Sequence, residues 1–213
     1  MPEQRSESFA IIKQLESEIG IAPGFLEGLL KDGDDWSFVI KVHAVAEAAL
    51  THLLTTTVGR EELRDLFGSL PMGDSRRGRI SVAAQLHLLD PRRVAFFRAL
   101  GRIRNAFVHD IKNAGLRIEQ YAASLAPNEQ DRLWLDLMGG HTLEPIIIDF
   151  DGNEVPTKDF ARAHPRFTIW ISTLSALGLI YRATTLDESN RKRFFEELRD
   201  MKPLRGQSAN RPR

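Results

Sequence analysis

The chain has no cysteine among its 213 residues. This absence excludes disulfide bonds, zinc–thiolate sites and thiol nucleophiles, and it agrees with a reducing compartment. The N-terminal segment contains no apolar signal core, and no apolar run reaches the roughly 20 residues that cross a bilayer. The longest weakly polar run, residues 169–181, is more typical of a buried helix. We therefore expect a cytoplasmic protein with no membrane partner.

Net charge is absent too, because 29 basic side chains balance 29 acidic ones. The charges are unevenly placed: nine basic but only two acidic residues lie between Arg76 and Lys112, counting both ends. A basic segment in a neutral protein is typical of a face that meets a phosphate backbone. The alternative is a solvated helix face whose arginines pair with acids from elsewhere in the fold.

Familiar catalytic signatures are also missing. The sequence shows no Gly-rich phosphate loop, Ser-His-Asp arrangement or helix-turn-helix. His43 and Glu47 are one helical turn apart, as metal ligands often are, but no second such pair follows on another helix. We expect neither a metal nor another cofactor.

The stretch "IIIDFDGNE" resembles the first motif of haloacid-dehalogenase-type phosphatases, in which Asp149 would be the nucleophile and Asp151 the acid. That fold needs a parallel sheet with crossover helices downstream, and the remaining residues are mostly helical in pattern. A hairpin turn is the preferred interpretation of these residues.

Helical periodicity dominates the chain, and the single β signal lies at 144–156. The fold class is therefore mainly α: an up-and-down helical bundle with a small β-hairpin or irregular insertion. We expect residues 1–202 to form a single helical domain and 203–213 a disordered tail. Helices are predicted over 4–19, 36–56, 60–67, 79–89, 90–110, 113–125, 127–138, 164–185 and 186–201.

The helix predicted over 90–110 has two opposite faces. On a wheel of 100° per residue, Phe96, Leu100, Ile103 and Phe107 fall within about 60° of one another, which indicates a core-facing stripe. The opposite side also spans about 60° and presents a cationic and amide row ending in imidazole. This row contains Arg98, Arg102, Asn105 and His109.

These residue types suit chemistry on RNA. Histidine transfers protons near neutral pH, and arginine grips two phosphate oxygens at once. RNA brings its own nucleophile, the 2′-hydroxyl, so a protein can cleave it without a metal. The alternative interpretation is structural: arginine, asparagine and histidine at a helix C-terminus can complement the helix dipole and bind its last carbonyls.

The motif "RNAFVH" at 104–109 resembles the Arg-x4–6-His signature of HEPN domains. The wider segment, from "SFVIKVHAVAEAALTHLL" to "GRIRNAFVHD", resembles their MltR-like (mannitol operon repressor-like) branch, in which a long helix carries an acidic residue, here Glu47. The resemblance covers about 34–112 and extends to a later bundle helix at about 160–185. It implies a four-helix core that often dimerises, with Arg and His of both subunits facing a shared cleft.

Many HEPN relatives are metal-independent endoribonucleases of toxin–antitoxin or antiphage systems, and others are non-catalytic regulators that act through protein–protein interaction. The resemblance thus implies a homodimer, with RNA and a cognate antitoxin or regulatory protein as partners. His109 would be the acid/base, Arg104 the phosphate clamp and Asn105 its support; Arg102 and Arg98 would bind substrate. Glu47 would be a structural polar group.

The identity of the working arginine stays open. The family pattern favours Arg104, because Asn105 follows it. The helical wheel favours Arg102, which is nearly eclipsed with His109, whereas Arg104 lies about 140° away from that imidazole.

Overall fold

A computed structural model describes residues 13–31, 33–109, 113, 115–139, 149–150, 153–154, 157–186, 189–190, 193–194 and 196–197. The protein is mainly α, as predicted. A helical segment covers residues 13–18, and a 3₁₀ turn covers Leu29–Lys31. The elements are α1 (Phe25–Gly28), α2 (Asp35–Val58), α3 (Arg64–Ser69), α4 (Arg79–Gln85), α5 (Pro91–Val108), α6 (Ile118–Ala123), α7 (Pro127–Met138), β1 (Asp149–Phe150), β2 (Asn153–Glu154), α8 (Thr157–Ala163) and α9 (Pro165–Thr185).

Helix α2 is the centre of the bundle and packs against α3, α4, α5 and α9. Asp34 caps its start by accepting a hydrogen bond from the Ser37 N–H (2.7 Å), and Gly59 ends it in the left-handed conformation (φ 68°). The helix is long and apolar enough to cross a membrane, but 72% of its most apolar 18-residue window is buried inside the fold. That burial is typical of a core helix and is compatible with a soluble protein.

Helix α5 begins and packs as its sequence predicts. Asp90 caps it by accepting a hydrogen bond from the Arg92 N–H (2.9 Å), and Pro91 occupies the first turn. The predicted apolar stripe is confirmed, because its four side chains have no exposed surface: Phe96, Leu100, Ile103 and Phe107. Each contributes roughly 1.5–3 kcal/mol on burial, so together they set the rotation of α5 about its axis.

The C-terminal carbonyls of α5 are bound by side chains from other segments. The Trp36 Nε1–H donates to the Phe107 carbonyl (3.1 Å), and the Asn113 amide donates to the Ala106 carbonyl (2.7 Å). These bonds satisfy groups that a helix end otherwise leaves unpaired. Polar residues of the Arg-Asn-His motif are therefore not needed to cap these two carbonyls.

Asp35 connects three helices at one end of the bundle. It lies in the first turn of α2 and is buried. One carboxylate oxygen accepts the Ile118 N–H at the start of α6 (2.9 Å), and the other lies 3.5 Å from Arg166 Nε of α9. This anchor explains why α6 begins at Ile118 rather than near residue 113, as the periodicity predicts.

The helix predicted over 79–89 also ends early, at Gln85. His87 adopts a left-handed conformation (φ 57°), and the Leu88 N–H donates back to the Ala83 carbonyl (2.8 Å). This Schellman-type ending turns the chain so that Leu88 and Leu89 are buried. Histidine stands where glycine is usual, which is why the sequence pattern does not reveal the stop.

Two short strands lie within the predicted insertion. Asp149 pairs with Glu154 and Phe150 with Asn153 in an antiparallel arrangement. The remainder of the predicted insertion, Asp151 among it, lies outside the described residues, as do residues 4–12 of the first predicted helix and the predicted tail at 203–213. The insertion as a whole and the single-domain assignment of 1–202 stay predictions.

The central position of α2 leads to a prediction about the free energy of unfolding. We expect Leu50→Ala to lower the free energy of unfolding by about 2–5 kcal/mol, because Leu50 is fully buried on α2 and truncation leaves a cavity. The matched control is Leu66→Ala on α3, whose side chain is exposed and should cost no more than about 0.5 kcal/mol. Urea denaturation of the three proteins measures both values, and equal losses would contradict the assigned core.

Candidate functional site

An open cleft of about 610 Å³ lies between α5 and the loop that follows α3, with α2 beneath. Helix α5 contributes three members of its polar row and Arg104, α2 contributes one imidazole and one carboxylate, and the loop forms the facing wall. The cleft is lined by His43, Glu47, Pro71, Met72, Gly73, Asp74, Ser75, Arg98, Gly101, Arg102, Arg104 and Asn105. Four predicted site residues of α5 and Glu47 of α2 therefore share one concave surface.

Glu47 lies at the base of this cleft and is held by a buried arginine. One carboxylate oxygen accepts a hydrogen bond from Arg79 Nη2 (2.7 Å), while Arg79 Nη1 donates to the Glu47 carbonyl and to Thr51 Oγ1. The Arg79 side chain is only 8% exposed, and that of Glu47 is 31% exposed. Arg79 belongs to α4, so the ion-pair partner of Glu47 comes from outside the helix that carries the Arg-Asn-His motif.

The second Glu47 oxygen faces His43. Nδ1 of His43 lies 3.5 Å from Glu47 Oε2, one turn along α2. The His43 contact, followed by the charges of Arg79 and Arg104, lowers the pKa of the Glu47 carboxyl against the opposing effect of burial. Glu47 is thus a fixed carboxylate that contacts an imidazole on one side and a guanidinium on the other.

The loop wall is held in place by its own backbone. Asp74 accepts hydrogen bonds from the N–H groups of Arg76 and Arg77 (2.8 and 2.6 Å), and its carbonyl accepts the Ser81 hydroxyl. A Cβ on Gly78 would lie only 2.5 Å from the Asp74 carbonyl oxygen, so only glycine fits there. The sequence predicts no helix over residues 68–78, but its pattern does not indicate that they form one wall of the cleft.

The three predicted arginines are in different electrostatic situations. Arg102 has a carboxylate partner: its Nη2 binds Asp136 of α7 (2.9 Å), whose other oxygen binds Arg132 (2.8 Å). Within the part of the chain that the structure describes, Arg98 has no carboxylate partner, and Arg104 donates only to the neighbouring Asn105 side chain (3.2 Å). Arg98 and Arg104 are therefore the cations that remain available to a ligand anion.

His109 lies apart from this group. It is the C-cap of α5, where its backbone N–H donates to the Asn105 carbonyl (3.1 Å), and its side chain is exposed. The cleft lining includes Asn105 but does not reach His109. The imidazole that the cleft does contain is His43, which lies 61 positions before Arg104 in the sequence.

The sequence spacing indicates His43 and Glu47 as a pair of the kind that binds metals, and Glu47 was expected to be a structural polar group. Among the described residues, no group of three or more His, Cys, Asp or Glu side chains is placed to hold a metal ion. The structure instead includes the pair in a polar cluster with Arg79. The one available signal was the i, i+4 spacing of an imidazole and a carboxylate on a mainly apolar helix.

The lowered pKa of Glu47 makes stability depend on pH. The charged carboxylate stabilises the fold above the usual glutamate pKa of about 4.3, and this contribution is lost as the pH falls through the lowered value. We expect Glu47→Gln to lower the free energy of unfolding by about 1–3 kcal/mol at neutral pH, because Arg79 and His43 lose their anion. Urea denaturation between about pH 3 and pH 7 should show the deficit shrinking toward the acid end.

The control for this series is Glu62→Gln. Glu62 is well exposed, and its nearest cation, Arg60, is 3.6 Å away and equally exposed. Such a surface pair contributes about 0–1 kcal/mol, so we expect little change at any pH. A Glu47→Gln deficit that stays constant across the pH range would contradict the assigned charge interaction.

Comparison of the chain with models of known families, with curated proteins and with solved structures gives no match. The function is therefore inferred from the cleft itself and from the motif resemblance of residues 34–112.

Proposed function

We propose that this protein is RNA-directed and that the cleft binds the phosphodiester backbone of RNA. The observation that carries the proposal is the pair Arg98 and Arg104, which line an open cleft and have no carboxylate partner within the described part of the chain. Unpaired guanidinium groups in a concave surface are what a phosphate requires, because each can donate two hydrogen bonds while carrying full charge.

Neighbouring residues support a polyanion rather than a single small anion. Arg76 and Arg77 are exposed and directly follow the loop residues that form the cleft wall. Arg102 adds a further cation to the lining, although it forms an ion pair with Asp136. A polymer that presents one phosphate per nucleotide can contact cations spread along the cleft and its rim, a span that a lone phosphate ion does not cover.

The activity that we propose is metal-independent endoribonucleolytic cleavage, in agreement with the HEPN resemblance. Arg104, with Asn105 beside it and Arg98 six positions earlier on the same helix, would hold the scissile phosphate and stabilise the charge of its transition state. The ribose 2′-hydroxyl would attack that phosphate, displace the 5′-oxygen and leave a 2′,3′-cyclic phosphate. DNA, which lacks this hydroxyl, would bind without being cut.

The remaining parts of the proposal come from the same resemblance. They are membership of the MltR-like HEPN branch, a cytoplasmic location, a homodimer and a cognate antitoxin or regulatory protein. In a homodimer that shares its clefts, His109 at the exposed end of α5 would reach the phosphate from the second subunit. Light scattering of the purified protein measures whether the dimer forms.

Binding is tested with the two available arginines. We expect Arg98→Ala and Arg104→Ala each to weaken affinity for a fluorescently labelled single-stranded RNA by about 10-fold, because each removes a charge-assisted phosphate contact. Each substitution should also reduce the slope of log affinity against log salt by about 0.7. Fluorescence anisotropy at several salt concentrations measures both quantities.

The matched control is Arg60→Ala, an exposed arginine 13 positions beyond Glu47, just past the end of α2. At 1.5 Å per helical residue it lies about 20 Å from the cleft, so RNA affinity should change by less than about 2-fold. An equal loss for all three variants would show nonspecific charge attraction and would contradict a built site.

Cleavage is tested in the presence of a chelator. We expect the protein to cut single-stranded RNA in EDTA and to leave 2′,3′-cyclic phosphate ends, and the matched DNA to stay intact. Arg104→Ala should lower the rate at saturating RNA by about 100-fold or more, since transition-state charge is then unopposed. RNA binding with no cleavage would contradict the nuclease proposal and favour the regulator alternative.

A further inference from the structure

We propose that His43, positioned by Glu47, is the residue that transfers the proton inside the cleft. This inference rests on the proposed function and deepens it, because the motif resemblance assigns that role to His109. The inference is based on position: His43 lines the same cleft as Arg98, Arg104 and Asn105, whereas the lining of the cleft does not reach His109.

The His43 ring is held as a catalytic base is usually held. Its Nδ1 faces the Glu47 carboxylate at 3.5 Å, and the other carboxylate oxygen is fixed by Arg79 at 2.7 Å. A carboxylate beside one ring nitrogen favours the proton on that nitrogen and leaves the other, Nε2, free to accept one. Arg79 acts in turn as the residue that keeps Glu47 in place.

The surroundings also suit the role. The His43 side chain is only 9% exposed, so the ring is confined and mostly shielded from water while one part still borders the cleft. The charged groups around it come from each wall: Glu47 and Arg79 below, Asp74 on the loop, and Arg98, Arg102 and Arg104 on α5. Asp74 accepts two backbone N–H groups through Oδ1, and Glu47 is the carboxylate that contacts the ring, at 3.5 Å.

The proton transfer balances without any further reactant. His43 Nε2 takes the proton of the 2′-hydroxyl as the 2′-oxygen forms its bond to phosphorus. The bond from phosphorus to the 5′-oxygen breaks with its electron pair, and that oxygen takes a proton from water. His43 then returns its proton to solvent, so the products are a 2′,3′-cyclic phosphate and a 5′-hydroxyl.

The experiment compares two histidines under single-turnover conditions with excess protein. We expect His43→Ala to lower the cleavage rate by about 100-fold or more, the usual contribution of a general base, while RNA affinity by anisotropy changes less than about 3-fold. The loss of rate in His109→Ala should be clearly smaller than the loss in His43→Ala. Free imidazole added to His43→Ala should restore part of the cleavage, which a merely structural role would not allow.

Folding is controlled by a second variant. His43→Gln preserves most of the side-chain volume but cannot act as a base at neutral pH, and it should show the same loss with no change in melting temperature. Glu47→Gln should lower the rate without lowering RNA affinity, as expected for a positioning residue.

The outcomes separate the two proposals. Cleavage that persists in His43→Ala or His43→Gln and is lost in His109→Ala overturns this inference and leaves the proposed nuclease standing. Wild-type protein that binds RNA without cutting it overturns both the inference and the nuclease activity. Wild-type protein that neither binds nor cuts RNA overturns the proposed function, and the inference with it.

Discussion

The packing of α5 on α2 is the constraint on which the candidate site depends. Phe96 and Phe107, with two aliphatic side chains between them, have no exposed surface. Rotating α5 about its axis by a quarter of a turn would expose this stripe to water, which would cost roughly 1.5–3 kcal/mol for each side chain. The arginines and the amide on the opposite side are therefore held outward, over the cleft, by apolar burial rather than by any contact of their own.

Pairing then divides the cations into structural and available ones. Arg79 is buried, and its guanidinium is occupied by Glu47, the Glu47 carbonyl and Thr51. Arg102 is ion-paired with Asp136, a carboxylate that also binds Arg132. Arg98 and Arg104 carry the same charge but have no carboxylate partner in the described structure, and this difference decides which of them a phosphate can recruit. The basic segment of the sequence thus contains arginines paired with acids, Arg79 and Arg102, beside two that have no carboxylate partner in the described structure.

Much of the local structure follows from local sequence. Asp90-Pro91 opens α5, Pro127 opens α7, and Gly59 closes α2, because capping chemistry operates over a few residues. The predictions fail where a distant contact or an unusual residue intervenes. The start of α6 is set by the Asp35 carboxylate, 83 positions away, and the end of α4 by a histidine in a conformation that glycine usually adopts.

The sequence by itself determined the mainly helical fold, the apolar stripe of α5 and the polar row opposite, because periodicity and burial energy are properties of each segment alone. Only the tertiary structure decided that Arg104 is available while Arg102 is paired, and that the imidazole in the cleft is His43 rather than His109. The reason is that ion pairing and shared surfaces depend on which segments meet across the bundle, and no spacing within one helix encodes that meeting.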